Sequence, residues 1–142
     1  MVEESDRDAD GIARKGQPFN EETFHYFLAL QRRRSERSGR PFLLVLVELK
    51  DPAGESLPID AALAPKIMSG LRTCLRDTDF VGWYRKDRAA GAVLTELGDG
   101  SRTEASDPVS QRVRAAICEG LPRPVASGLQ VPIYQFQPTL RS

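Results

Sequence analysis

Hydrophobic positions along the chain change their period several times, and each change marks an element. In "FNEETFHYFLALQRRRSERSGRP", Phe24, Phe27, Leu28 and Leu30 share a helical face, Asn20 is a good N-cap, and Glu21 and Glu22 suit the first turn. Gly39 and Pro41 stop the run, so a helix is predicted over 21–38. "PFLLVLVELK" follows at once, and its continuous Leu/Val run predicts a strand covered on both faces and ending at Glu48. "DPAGESLP" reads as loop. Asp60 then caps a second helix in which Leu63, Ile67, Leu71 and Leu75 recur, with Pro65 tolerated near the first turn and an end expected near Arg76.

"DFVGWYRK" and "AGAVLTEL" are short strand patterns separated by a few polar residues, which predicts an antiparallel hairpin. Trp83 and Tyr84 then face opposite sides, one expected in the core and the other at a surface, and Gly91 is expected in a bulge or tight turn. "GDGSRTEAS" reads as a surface loop. "DPVSQRVRAAICEGLP" predicts a third helix with Asp107 as cap, Pro108 at the first position, Val109, Val113, Ile117 and Leu121 on one face, and Gly120 and Pro122 as stops. "LQVPIYQFQP" is β-rich, but Pro132 withholds a donor, so it belongs at a sheet edge.

Residues 1–17 carry charge and little apolar surface, so they are expected to form a flexible tail before a single domain over 18–142. The order helix, strand, helix, strand, strand, helix, strand fits one α/β sandwich. Its central, mainly antiparallel sheet has helices packed against it, in the ferredoxin-like or polymerase-palm manner.

Charge narrows the functional classes. Twenty basic residues balance twenty acidic ones, so no overall field draws the chain to nucleic acid, and any anion site must be built locally. The longest apolar run, Phe42 to Val47, is far shorter than the ~20 residues that span a bilayer, so no membrane insertion is expected. The acidic N-terminal stretch lacks the apolar core of a secretory signal, and a cytoplasmic location is expected. Cys74 and Cys118 lack the spacing of a zinc or redox pair and read as reduced packing residues. His25 has no Cys or His near it in sequence, which argues against a metal or general-base role. The basic run "QRRRSER" reads as a solvated helix face, with Glu36 offering an i,i+4 partner to Arg32. No Gly-rich phosphate loop, zinc pattern or nucleophile elbow occurs, and no cofactor is expected.

"FNEETFHYFLALQRRRSERSGRPFLLVLVEL" and "LRDTDFVGWYRKDR" together resemble the GGDEF domain of bacterial diguanylate cyclases over about residues 19–121. The resemblance implies that the signature turn falls on Arg85, Lys86, Asp87, Arg88 and Ala89, of which Asp87 alone keeps the family type. Family glycines let the backbone approach nucleotide phosphates, which Arg85 and Lys86 do not allow. The family's metal-holding acid in the turn is Arg88 here, whose permanent positive charge repels the ion. The other family metal position, at the end of the first strand, is Glu48, still a carboxylate, and the acid that often follows is Lys50. The resemblance therefore implies a fold without catalytic residues or a metal, and no diguanylate cyclase activity.

The resemblance also implies that Arg76 and Asp79 form the family's Arg-x-x-Asp inhibitory site, where cyclic di-GMP is held away from catalysis. The residue types suit it, since a guanidinium forks onto phosphate or a guanine edge and a carboxylate accepts from guanine N–H groups. A structural role fits the same residues: Arg76 at a helix C-terminus and Asp79 capping the turn into the next strand, with Asp77 competing for that place. The expected function is thus an inactive regulatory domain that binds cyclic di-GMP. The alternative is a ligand-free domain that binds a protein partner or a second copy of itself.

Overall fold

The structure, a computed structural model, describes residues 18–76, 79–95 and 102–137, the side chains of 102–107 excepted. The expected tail at 1–17, Asp77, the first part of the expected loop at 98–101 and the chain end at 138–142 lie outside the described residues. Helix α1 spans Glu21–Ser38 as expected. The Asn20 carboxamide oxygen accepts from the Thr23 N–H at 2.8 Å, and Gly39, at φ 78°, closes the other end by donating to the Ser35 carbonyl.

Strand β1 spans Phe42–Lys50 and runs two residues past the expected end at Glu48. It continues because Lys50 finds ladder partners: its N–H donates to the Gly128 carbonyl at 2.9 Å, and it pairs with Ser56. Ser56–Leu57 is accordingly a short strand, β2, inside the segment expected to be loop. The Asp60 carboxylate accepts from the N–H groups of Ala62 and Leu63, capping the turn that leads into α2 (Ala64–Arg72). That helix ends four residues before Arg76. After Arg72 the chain tightens into three-residue turns, Cys74 donating to Leu71 and Leu75 to Arg72.

Strands β3 (Phe80–Arg85) and β4 (Ala89–Leu94) form the expected hairpin. Helix α3, Arg102–Cys118, starts well before the expected cap at Asp107, and Pro108 lies inside it. A proline biases the preceding residue away from helix without forbidding it. A short helix α4 (Arg123–Ala126) follows, which the sequence pattern does not predict. The expected edge strand is two, β5 (Leu129–Gln130) and β6 (Ile133–Phe136). Pro132 interrupts it, although its carbonyl still accepts from the Leu46 N–H at 2.9 Å.

β1 is the middle of the sheet. Leu43, Leu44 and Val45 pair with β4 and with β6, and Leu49 pairs with β2 and with β5, so both edges of β1 are occupied along its length. All of these pairings, and β3 with β4, are antiparallel. Period-two alternation divides β1 between two cores. Leu43, Val45, Val47 and Leu49 join Ile67, Met68 and Leu71 of α2 and Val113 and Ile117 of α3. On the opposite face Phe42 packs with Phe24 of α1 and with Val93, and Leu44, Phe80 and Tyr84 flank them.

Trp83 and Tyr84 therefore each pack on a core, one per face, and neither simply reaches solvent. Gly91 lies in regular pairing opposite Leu46 and Gly82, not in a bulge. A Cβ there would come 2.9 Å from the Phe24 ring, so the glycine serves the close approach of α1. The bulge lies in β3, between Trp83 and Arg85. Cys74 and Cys118 are free thiols, half-buried against the larger core. Arg32 stacks 5.5 Å from the Phe136 ring centre, and among the described residues no ion pair to Glu36 forms.

Candidate functional site

Two places carry the residues singled out by the sequence. The first is the connection from α2 to β3. Arg76 lies beyond the last turn of α2, so the helix-terminal role does not apply to it. Its N–H donates to Asp79 Oδ2 at 2.9 Å, and the Asp79 N–H donates back to the Arg76 carbonyl at 3.0 Å. Asp79 Oδ1 accepts from the Thr95 N–H at 2.9 Å and from the Thr95 hydroxyl at 3.2 Å. Both carboxylate oxygens are engaged, which takes up most of the four or so lone-pair sites of a carboxylate. Asp79 thus closes the turn that contains Arg76 and fastens it to the residue after β4. The guanidinium belongs to an exposed residue on that turn.

The second place is the tip of the β3–β4 hairpin. Arg85 ends β3, Ala89 begins β4, and Lys86, Asp87 and Arg88 form the turn, closed by the Arg88 N–H donating to the Arg85 carbonyl at 2.9 Å. Asp87 has φ 60°, a left-handed conformation that short polar side chains tolerate better than most residues do. That backbone requirement accounts for an Asp at position 87 without a ligand. The turn is braced from two sides. From α1, Glu21 Oε1 accepts from the Lys86 N–H at 2.7 Å. His25 Nε2 lies 2.7 Å from the Tyr84 carbonyl, so this nitrogen carries a proton and donates. From the other side, the Ile59 N–H donates to the Asp87 carbonyl at 2.7 Å, and Arg88 Nη1 donates to the Ser56 carbonyl at 3.3 Å.

Beside this tip is a cleft of about 380 Å³ lined by Glu48, Ser56, Tyr84, Arg85, Arg88 and Ala89. It brings together Glu48 and the arginines Arg85 and Arg88 of the hairpin turn, which are 37 or more positions away in sequence. Glu48 is on the α1 side of the sheet, the face of Phe42 and Leu44, and Lys50 follows on the same face. Lys50 Nζ lies 3.9 Å from Glu48 Oε1, each side chain about one-third exposed. Ser56 and Tyr84 carry no mark of the site in the sequence, and the contact of Lys50 with Glu48 is seen only in the structure. The alternation that puts residues 48 and 50 on one strand face was the available signal.

A divalent ion of the magnesium kind needs several hard oxygen ligands and net negative charge. This cleft holds one carboxylate already facing an ammonium, and two guanidinium groups. The residues do not fit such an ion. Among the described residues no group of three or more His, Cys, Asp and Glu is placed to hold a metal, and no helix is long and apolar enough to cross a membrane. Arg76 and Asp79 lie at the opposite end of β3 from the hairpin turn, so the two places are separate.

No family model and no curated protein matches the chain. Solved structures do. The diguanylate cyclase SiaD of Pseudomonas aeruginosa, in complex with its activator SiaC, is similar at TM-score 0.65 and 16% identity over 99% of this chain, which spans 58% of the SiaD chain. The GGDEF domain of FimX from Pseudomonas aeruginosa is similar at TM-score 0.64 and 13% identity, over 89% of this chain and 80% of that one. The GGDEF domain of DgcB from Caulobacter crescentus, in complex with c-di-GMP, is similar at TM-score 0.61 and 9% identity, over 86% of this chain and 73% of that one. Element order, antiparallel sheet and these matches agree: the chain has the GGDEF-like α/β fold.

Proposed function

We propose that this domain is a regulatory member of the GGDEF-like fold that does not cyclise GTP. The observation that carries this reading is that Glu48, the one acid lining the cleft, has the Lys50 ammonium 3.9 Å away, while the other charged lining residues are Arg85 and Arg88. Metal-assisted attack on a triphosphate needs a cation held by carboxylates at the reacting phosphate. In this reading the positive side chains beside Glu48 take the place of such a cation, and they supply neither Lewis acidity nor an open coordination position.

Cyclic di-GMP is the proposed effector, at the turn of Arg76 and Asp79. DgcB was solved with c-di-GMP, which supports that ligand class for the fold. Within this reading Asp79 is a positioning residue: its carboxylate builds the turn, and Arg76 makes the charge-assisted contacts to phosphate or guanine. Calorimetry with cyclic di-GMP tests it. Micromolar binding lost in Arg76→Ala is expected, whereas no heat, or binding unchanged in that variant, rejects the receptor. The second reading is a ligand-free interaction domain, favoured by two large exposed tyrosines, Tyr26 at 61% and Tyr134 at 56%. Light scattering and co-purification separate it from a monomeric sensor.

A further inference from the structure

The outer side of α1 carries chemistry that the proposed regulatory role leaves unused. Residues 32–40 hold five arginines against one glutamate, a net charge of +4 in a chain of zero formal net charge. Helical spacing turns Phe24, Leu28 and Ser35 toward the sheet, with Phe24 and Ser35 buried. Arg33 and Arg37 therefore point the opposite way, and Arg34 lies on one flank. Arg33, Arg34, Arg37 and Arg40 are all exposed. The partner expected at Glu36 is not made: Arg32 stacks on Phe136 instead, and among the described residues the Lys50–Glu48 contact is the only ion pair. Like charges this close on one helix repel each other, and nothing among the described residues compensates them.

The opposite charge precedes the helix in the same chain. Residues 3–10 hold five acids, Glu3, Glu4, Asp6, Asp8 and Asp10, against Arg7, a net charge of −4. We infer that this acidic segment docks on the arginine stripe of α1 in the same molecule. Direction and reach both suit it. Phe19 stacks on Phe27 with ring centres 5.1 Å apart, and it is fixed to β3 by an N–H donated to the Val81 carbonyl and a carbonyl accepting from the Trp83 N–H. The chain thus arrives on the Phe27 flank of α1, and Arg34, seven residues on, lies along that flank. Arg33 and Arg37 are about 18–24 Å along the axis from Glu21, at about 1.5 Å per residue. The chain from Pro18 back to Asp10 reaches at most about 26–29 Å. Each exposed ion pair is weak by itself, but several form in one intramolecular event, at an effective concentration of millimolar order. Docked, the segment closes this helix face to any other acidic partner. The inference is independent of cyclic di-GMP at Arg76 and of turnover.

Paramagnetic broadening of amide signals in the full chain is the test, with a nitroxide on Ser5→Cys and with Cys74→Ala and Cys118→Ala to confine the label. The gradient along α1 discriminates. A segment that does not dock broadens the first turn of the helix most, because that turn is nearest in the chain. Docking reverses the order: the amides of residues 33–37 are expected to lose about twofold more signal than those of 21–24. The reversal is expected to vanish when Arg33→Gln, Arg34→Gln and Arg37→Gln are combined, all at exposed positions. It should also vanish in about 0.5 M NaCl, where the screening length falls to about 4 Å. With both cysteines intact and no label, the triple arginine substitution alone should move the amide signals of residues 3–10, which lie at least 23 positions away. No movement there would overturn the inference. So would broadening greatest at 21–24 in the parent at low salt, a reversal that persists in the triple variant, or broadening only of a separate isotope-labelled copy mixed with the nitroxide chain.

Discussion

Lys50 Nζ stands 3.9 Å from Glu48 Oε1 on one face of the central strand, at the end of the sheet where the β3–β4 turn arrives. A pair this exposed contributes little to stability, roughly 0–1 kcal/mol. Its importance is that it places a fixed cation beside the carboxylate. Lys50→Glu reverses that arrangement and leaves two acids on one strand face. The expected outcome is a small fall in Tm in EDTA that Mg²⁺ or Mn²⁺ partly restores, with no divalent effect on the parent chain. Thermal denaturation with and without the metals reads this directly.

Asp79 accepts from the backbone of Arg76 and from both the backbone and the hydroxyl of Thr95. Asp79→Ala leaves these donors without their acceptor, and each lost bond of this charged kind is worth about 1–3 kcal/mol where water does not replace it. Partial exposure lowers the total, so a loss of about 2 kcal/mol is expected by urea denaturation. Asp79→Asn keeps one acceptor oxygen and should lose less. Thr95→Val combined with Asp79→Ala should be clearly less than additive, because the two share a bond.

Glu21 ties the first turn of α1 to the hairpin through the Lys86 N–H. The groups are exposed, so Glu21→Ala should cost under about 1.5 kcal/mol in stability, including the loss of a favourable charge at the helix N-terminus. The specific consequence is local. Amide hydrogen exchange at Lys86 should accelerate in the variant while the amides of β1 keep their protection.

Gly70 faces Ile117 where α2 meets α3, and a Cβ there would lie 2.6 Å from Ile117 Cγ1 and 2.9 Å from its Cα. Alanine gains up to about 1 kcal/mol in helix propensity. Overpacking typically costs about 1–3 kcal/mol, and one of the two clashing atoms is backbone, which cannot rotate away. Gly70→Ala is therefore expected to destabilise, by about 1 kcal/mol or more. A rise in the urea midpoint would contradict the tight helix–helix contact.

The sequence made the elements legible where pattern and punctuation agree. Asn20, Gly39 and the Phe/Leu face predict α1 to the residue, and the unbroken Leu/Val run predicts a strand buried on both sides, as β1 is. Local pattern misleads where a long-range partner decides. Leu75 continues the helical spacing, yet α2 stops at Arg72, and Ser56–Leu57 has no strand pattern but gains one from the exposed end of β1.

Much the same division holds at the site. The two strand patterns predict a hairpin, and the resemblance puts its signature turn on Arg85 to Ala89, where the hairpin turn lies, because a hairpin is a local structure. That His25 and Glu21 brace the turn, and that Asp79 is engaged with Thr95, depend on tertiary packing and carry no signature in a single chain.

The most direct test of the regulatory reading is turnover itself. The purified chain is incubated with GTP and Mg²⁺ or Mn²⁺, and released pyrophosphate and cyclic di-GMP are measured. The account predicts neither product above a protein-free control. Formation of cyclic di-GMP that Glu48→Ala abolishes would contradict it.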